Sequence, residues 1–500
     1  MKHPGLLYSE PRIAQQAAQR WGTLRPQMLP SVNTTGSVVA PQRDWNVSLG
    51  AGRLARNMFP AKYSFDPGAA PSCANDYVVF GLSRVGAANQ ANLVAFNNLY
   101  AGTTPTGLCG TAPTFFFAYN ISTVAAGRIL NSPALSLDGK KIAFVESGNI
   151  SGVATSIFHV VTWASGPGNG TSATAPAVPG VGNSASMTSL AFAAALDTRS
   201  SPWVDYDSDT AYVGADDGKI YKITGVFKGT PTLAGAPWPV TISLNVRAST
   251  PVLDSVLGLV MVGSQNGTFY SINATTGAVN SLVVGASGGT NPGILAAPIV
   301  DVTNGTSFVV SANDGTSGVL VEVDTATMTQ LAKARIGLAS KSGTAVSLFQ
   351  PAFSDDYFID PSIGVARLCG TGSADITPWQ YSFGFTGTVM DTTPVFSEQL
   401  LTSTAARCTG WTEFFNPFVA EGTDFFFFGL TVDCGGAGTS GCVVARTNDD
   451  LIPAVTADIA GGPSGIVVDN YSTAVQASSI YFSGALTPNL AYKLTQDGLN

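Results

Sequence analysis

One short unit recurs along this chain and constrains its fold more than any other feature. A proline opens an extended run, a turn follows, and a very apolar strand then ends near Gly or Ser. The unit reads SPALSLDGKKIAFVESG from Ser132, SPWVDYDSDTAYVGADDG from Ser201 and TPVLDSVLGLVMVGSQNG from Thr250. It continues from Ala297, Gln350 and Asn416, closes with GPSGIVVDNYSTAVQASSIYFSG from Gly462, and has a weaker early copy from Phe59. The opening prolines are Pro60, Pro133, Pro202, Pro251, Pro298, Pro351, Pro417 and Pro463, so eight copies are expected. Self-similarity on this scale marks a stacked array in which each unit covers its neighbour's apolar face.

Within a unit the residues fit one blade of a β-propeller. A proline at the head of the first strand needs no ladder donor. Asp205, Asp254 and Asp301 each stand three residues after their proline, where the first strand turns into the second. Asp-Asp-Gly at 216–218, Gln-Asn-Gly at 265–267 and Asn-Asp-Gly at 313–315 supply residues that tolerate positive φ, as a tight hairpin requires. Third strands follow at Lys219, Thr268 and Gly318. The second strands (AYVG, LVMVG, SFVV, FFFFG, IYFSG) are almost continuous apolar runs, as expected when neighbouring blades cover both faces. The Phe115–Phe117 and Phe425–Phe428 runs are read as inter-blade core for the same reason. Helical periodicity is nearly absent; Glu10–Trp21 alone looks like a short helix.

The fold class is therefore all-β: an eight-bladed propeller of four-stranded antiparallel blades. Near the start, DWNVSLG from Asp44 resembles APWPVTISLN from Ala236, which follows the third strand of another unit. The last unit supplies three strands before the chain ends, so Asp44–Leu49 is expected to become its outer strand. Pairing of the N-terminal strand with the C-terminal blade closes the ring and removes exposed sheet edges. Residues 1–40 then form an N-terminal arm and 41–500 the propeller.

Charge and compartment narrow the function. Charged residues are 11% of the 500 and apolar residues 45%, the reverse of a disordered composition. A net charge of −8 leaves no basic face for nucleic acid. No apolar stretch approaches the roughly 18–20 residues of a transmembrane helix. Met1–Arg20 lacks the apolar core of a signal peptide, so a processed chain or another export route is expected. The six cysteines fall into local pairs: Cys434 and Cys442 flank a Gly-rich tip, Cys73 and Cys109 share a segment, and Cys369 and Cys408 remain. Three disulfides suit an extracellular, cell-surface or periplasmic protein. Nine glycosylation sequons stand at Asn33, Asn46, Asn120, Asn149, Asn169, Asn266, Asn273, Asn304 and Asn470, several of them doubling as turn residues.

The segment Ser201–Leu331 resembles the quinoprotein-alcohol-dehydrogenase-like (PQQ-like) superfamily of eight-bladed propellers. YSINATTGAV from Tyr270 looks like that family's Asp-Ala-x-Thr-Gly turn, with Asn273 in place of the acid, and the tryptophan expected beyond the Gly is missing. More broadly the chain looks like large secreted bacterial propellers rich in Gly, Ser and Thr. The resemblance implies a quinone site only with vicinal cysteines, calcium and an axial Asp base, and no adjacent cysteines occur. No cofactor is expected beyond possible calcium.

Other chemistries are thinly represented. Asp205, Asp207 and Asp209 alternate, and hard oxygen ligands at that spacing suit calcium, against the simpler reading of a polar turn. Asp355, Asp356 and Asp360 form a weaker cluster of the same kind. With only His3 and His159 in the chain, most zinc and Ser-His or Cys-His catalysts are removed; His159, inside SIFHVVTW, is read as a core histidine. No catalytic residue is assigned. The favoured function is a non-catalytic extracellular propeller serving as a binding, adhesion or structural surface protein, self-associating through the arm or engaging a protein or carbohydrate. The alternative is a propeller enzyme using the axial funnel, as a quinone-dependent oxidoreductase or a polysaccharide hydrolase or lyase.

Overall fold

A computed structural model describes residues 7–8, 40–63, 71–286, 292–341, 344–416, 423–450, 454–470 and 475–495. Each proline from Pro60 to Pro351 stands immediately before the first strand of an antiparallel sheet. Blade one is built from Ala61–Tyr63, Tyr77–Gly81, Leu93–Asn97 and Thr114–Tyr119, and blade two from Ala134–Leu135, Lys141–Ile150, Val153–Thr162 and Ser186–Ala193. Blade three begins at Trp203–Asp205, blade four at Val252–Asp254, blade five at Ile299–Asp301 and blade six at Ala352–Phe353. Blade seven runs Thr412–Asn416, Thr423–Val432, Ser440–Thr447 and Val455–Ile459. Blade eight takes Val467–Asn470, Ser478–Ser483 and Leu490–Thr495 from the C-terminal end and Gln42–Ser48 from the N-terminal end. First strands of neighbouring blades approach one another, blade eight against blade one included, so the sheets close into a ring around an axis.

Closure by the N-terminal strand is as expected: Trp45 pairs Lys493, Asn46 pairs Tyr492 and Val47 pairs Ala491. Two expected opening prolines need correction. Blade seven's first strand starts at Thr412, ahead of Pro417, which lies outside the described residues. Blade eight's first strand starts at Val467, four residues after Pro463. Trp411 and Ile466 occupy the positions that proline holds elsewhere. Proline is permitted there because no ladder N–H is required, and any apolar residue that packs serves equally. Four of the eight blades share a hydroxyl two residues before that position: Ser200 Oγ, Ser249 Oγ, Thr409 Oγ1 and Ser464 Oγ each accept an N–H of their blade's second strand, from Gly214, Gly263, Gly429 and Ser483.

The core is a set of layers between blades. In the Phe425–Phe428 run, Phe425 and Phe427 face blade eight while Phe426 and Phe428 face blade six, all at most 2% exposed. Burying each such ring contributes roughly 1.5–3 kcal/mol. Alternation on a strand explains why the sequence shows no polar face there. After the third strand of blade two, the chain folds over the outer strand of blade one instead of turning back at once. Ala118 N–H reaches Asn169 O at 2.8 Å and Ala177 N–H reaches Ala118 O at 2.9 Å, covering an edge that would otherwise be open.

Candidate functional site

Antiparallel order gives the ring two faces. One, the lower, carries the turns after first and third strands; the other carries the hairpins after second strands and the links between blades. The lower face around blades four to seven gathers what distinguishes this chain. In blades three to five the first strand turns within four residues, and its terminal Asp closes the turn. Asp254 Oδ1 accepts Val256 N–H and Leu257 N–H, each at 2.9 Å. Asp301 Oδ1 accepts Thr303 N–H and Asn304 N–H. Blade six departs from this pattern with a short helix, Asp355–Ile359, followed by a 3-10 turn, Pro361–Ile363.

Two buried carboxyl groups pin that insert. Tyr357 Oη donates to Asp301 Oδ2 in blade five at 2.8 Å, and Asp424 Oδ1 in blade seven accepts Asp355 N–H at 3.0 Å. Burial pushes Asp424 up to about 7; the Asp355 N–H and Glu413 oppose that rise, and the charges of Asp355 and Asp356 add to it. Burial likewise pushes Glu322, beneath the insert, up to about 7, with the Met390 N–H opposing and Asp301 adding. Asp254 is raised by burial. Asp254 Oδ2 and Glu322 Oε1 have no hydrogen-bond partner among the described residues. The insert therefore stands on Asp301 and Asp424, and it holds Ile359 at 71% and Ile363 at 59% exposure. Val256, at the blade-four turn, is 72% exposed on the same face.

Sequence reasoning took Asp355, Asp356 and Asp360 for ligands or a polar turn and did not see this helix. The available signal was the long spacing between Pro351 and the second strand, Ala366–Thr371, compared with blades three to five. Asp360 caps the 3-10 turn by accepting the N–H and hydroxyl of Ser362, which hold it below the usual carboxylate range.

The other candidate residues are dispersed. The first strand of blade three ends at Asp205, so Asp207 and Asp209 lie in a turn and do not share a strand face with it. Asp205 accepts the Asp207 N–H and the Ser208 hydroxyl, whereas Asp209 turns away, at φ 53°, to accept Phe227 N–H and Lys228 N–H. Among the described residues, no group of three His, Cys, Asp or Glu side chains is placed to hold a metal ion. All three expected disulfides form: Cys73–Cys109, Cys369–Cys408 and Cys434–Cys442. Among the sequons, Asn46 and Asn304 are exposed, while Asn120, Asn149, Asn266 and Asn273 are half-buried. Asn169 is 6% exposed and its amide donates to Ala164 O and Gly166 O. Asn33 and the side chain of Asn470 lie outside the described residues, as does the helix expected at Glu10–Trp21.

His159 is fully buried in the third strand of blade two, as read from the sequence, but its polar partners were not legible there. Nε2 lies 2.9 Å from Glu146 Oε2 and Nδ1 lies 2.9 Å from Ser189 Oγ. A second polar cluster closes the ring between blades eight and one. Lys62 Nζ meets Asp469 Oδ2 at 2.7 Å, Lys493 Nζ meets Asp44 Oδ2 at 2.9 Å, and Tyr100 Oη donates to Asp76 Oδ2 at 2.6 Å. A cleft of about 530 Å³ opens on the upper face beside Gly50, Arg84 and Asn89, away from these groups.

No protein-family model and no curated protein matches this sequence. Solved structures do. The Dos1 propeller aligns with a TM-score of 0.50 at 12% identity, covering 91% of this chain and 94% of that one, and shares the fold. BamB from Moraxella catarrhalis aligns at 0.48 and 12% identity over 91% of this chain and 100% of its own, and Sqt1 from Saccharomyces cerevisiae at 0.49 and 11% over 93% and 99%.

Proposed function

We propose that this chain is an extracellular or periplasmic binding scaffold that docks a protein partner on its lower face, through the blade-six insert. The carrying observation is a helix anchored at its first and middle residues by buried carboxyl groups while Ile359 and Ile363 project into solvent. Exposed branched aliphatics on a rigid support are the composition of an interaction patch. Three disulfides support an oxidising compartment, and among the described residues no helix is long and apolar enough to cross a membrane. The test compares the intact protein with an Ile359→Asp/Ile363→Asp double variant, using affinity capture from extracts of the native source. Loss of a partner at unchanged melting temperature supports the reading, and identical captured sets overturn it. A thiol assay on unfolded, non-reduced protein should find no free cysteine.

A second reading concerns residues 1–40. Leu7–Tyr8 pairs antiparallel with Ile299–Asp301, the first strand of blade five, so the arm adds a strand at the ring's own inner edge. Strand addition of this kind can be exchanged with a second copy. Deleting residues 1–40 while retaining Gln42–Ser48, and measuring mass by light scattering, tests it; an unchanged oligomeric state removes the assembly version. Membership of the quinoprotein-like superfamily, glycosylation at Asn46 or Asn304, and carbohydrate binding at the cell surface belong to the same proposal and need cofactor analysis, glycosidase-sensitive mass and glycan arrays respectively.

A further inference from the structure

The buried group with no role in that scaffold is the Glu146–His159–Ser189 line in blade two. Its protonation follows from counting donors. The Glu146 carboxylate accepts Thr123 N–H at 3.0 and 3.1 Å, the Thr123 hydroxyl at 2.6 Å and Val124 N–H at 3.4 Å. A carboxylate that accepts on both oxygens requires a donor from His159, so Nε2 carries the ring proton. Nucleophile activation uses the neutral ring, in which Nδ1 accepts the Ser189 hydroxyl across the 2.9 Å contact. Fixed acceptor, oriented imidazole and serine hydroxyl stand in the relation that activates a nucleophile.

The line also has a buried end and an open end. Glu146 and His159 are fully buried, and Phe144 lies tilted against the imidazole at 5.4 Å between ring centres. Ser189 is exposed on Ser186–Ala193, the outermost strand of its sheet. An outermost strand leaves alternate N–H groups without a ladder partner, so one N–H at or beside Ser189 faces outward, where a developing oxyanion can be met. Close packing holds the acid in place: a Cβ on Gly127 would come within 1.7 Å of Glu146 Oε1.

We propose that Ser189 is a nucleophile that accepts an acyl group from activated esters, with His159 as general base and Glu146 as the positioning residue. Ser189 Oγ would bond to the ester carbonyl carbon as its proton passes to His159 Nδ1. The proton then passes to the alkoxide as the ester C–O bond breaks and the alcohol leaves; water, giving its proton to His159 Nδ1, attacks the acyl carbon, the C–Oγ bond breaks, the acid is released and Ser189 Oγ takes the proton back.

The test treats intact protein with a fluorophosphonate, which forms an Oγ–P bond at an activated serine as fluoride leaves, and maps adducts by mass spectrometry. Ser186, exposed on the same strand, is the internal control. Labelling of Ser189 should outpace Ser186 by at least about a hundredfold and should rise with pH to a plateau. His159→Gln should bring the two serines level. Because that variant can also loosen the blade, the pH profile of the unaltered protein decides independently. Equal labelling of Ser189 and Ser186, or no pH dependence, overturns the proposal.

Discussion

Blades three to five and the seam between blades eight and one solve the same packing problem with different chemistry. In the first region, consecutive units meet through Val260, Val262, Phe269, Ile272, Val309 and Val321. At the seam, residues from opposite ends of the chain meet, and the layer includes Lys62, Asp469, Lys493 and Asp44 at side-chain exposures of 0–6%. Apolar layers tolerate small shifts because their attraction is non-directional. Paired charges do not, since a displaced partner leaves an uncompensated buried ion. The seam must hold two distant segments in one register, and its charges specify that register where local turns cannot.

The largest effect is expected at the seam. Asp44→Ala leaves Lys493 without its carboxylate and should lower unfolding free energy by about 3–5 kcal/mol in urea titration. Adding Lys493→Met should recover most of that loss. If the single variant is no worse than the double, the charges do not set the register. In the repeat region, Gly218→Ala should cost about 1–3 kcal/mol. Gly218 has φ +78°, and its added Cβ would meet Ser243 O at 1.5 Å. Thermal unfolding of that variant measures how tightly one ordinary blade depends on its hairpin.

A pH dependence sharpens the contrast with the blade-six insert. Glu322 and Asp424 are raised in the folded state, so folded protein binds more protons than unfolded between the ordinary carboxyl range and about 7. Unfolding free energy should therefore fall as pH rises through that window, by at most roughly 1.4 kcal/mol per pH unit for each group. Asp424→Asn should flatten the slope; an equally steep profile in the variant would place the dependence elsewhere. The smallest effect, about 0.5–1.5 kcal/mol, is expected for Asp205→Ala, which removes a half-exposed turn acceptor and nothing in the core. A loss of several kcal/mol there would point to a bound cation.

Much of the architecture was legible because its signals are local. Asp-Asp-Gly at 216–218 and Gln-Asn-Gly at 265–267 sit on the hairpins expected of them. The outer strand expected at Asp44–Leu49 is found at Gln42–Ser48. The prolines misled in blades seven and eight because proline marks a permitted position and not an obligatory one. The candidate site was less visible. The helix at Asp355–Ile359 spans only five residues, too short for a periodic pattern to emerge. His159 was correctly placed in the core, yet Ser189 lies 30 residues downstream with nothing in the intervening chain to announce it.

By itself, the sequence determined the blade count, the strand order, the closing strand and the cysteine pairing, because each depends on turn residues and apolar runs within a few dozen positions. The partners across blade interfaces and between strands of one blade were decided only by the folded ring: Lys62 with Asp469 and Tyr357 with Asp301 between blades, His159 with Glu146 and Ser189 within blade two. The physical reason is that a period-two strand records which residues point inward but not which neighbour they will face. That choice follows from the angle at which eight sheets close around one axis.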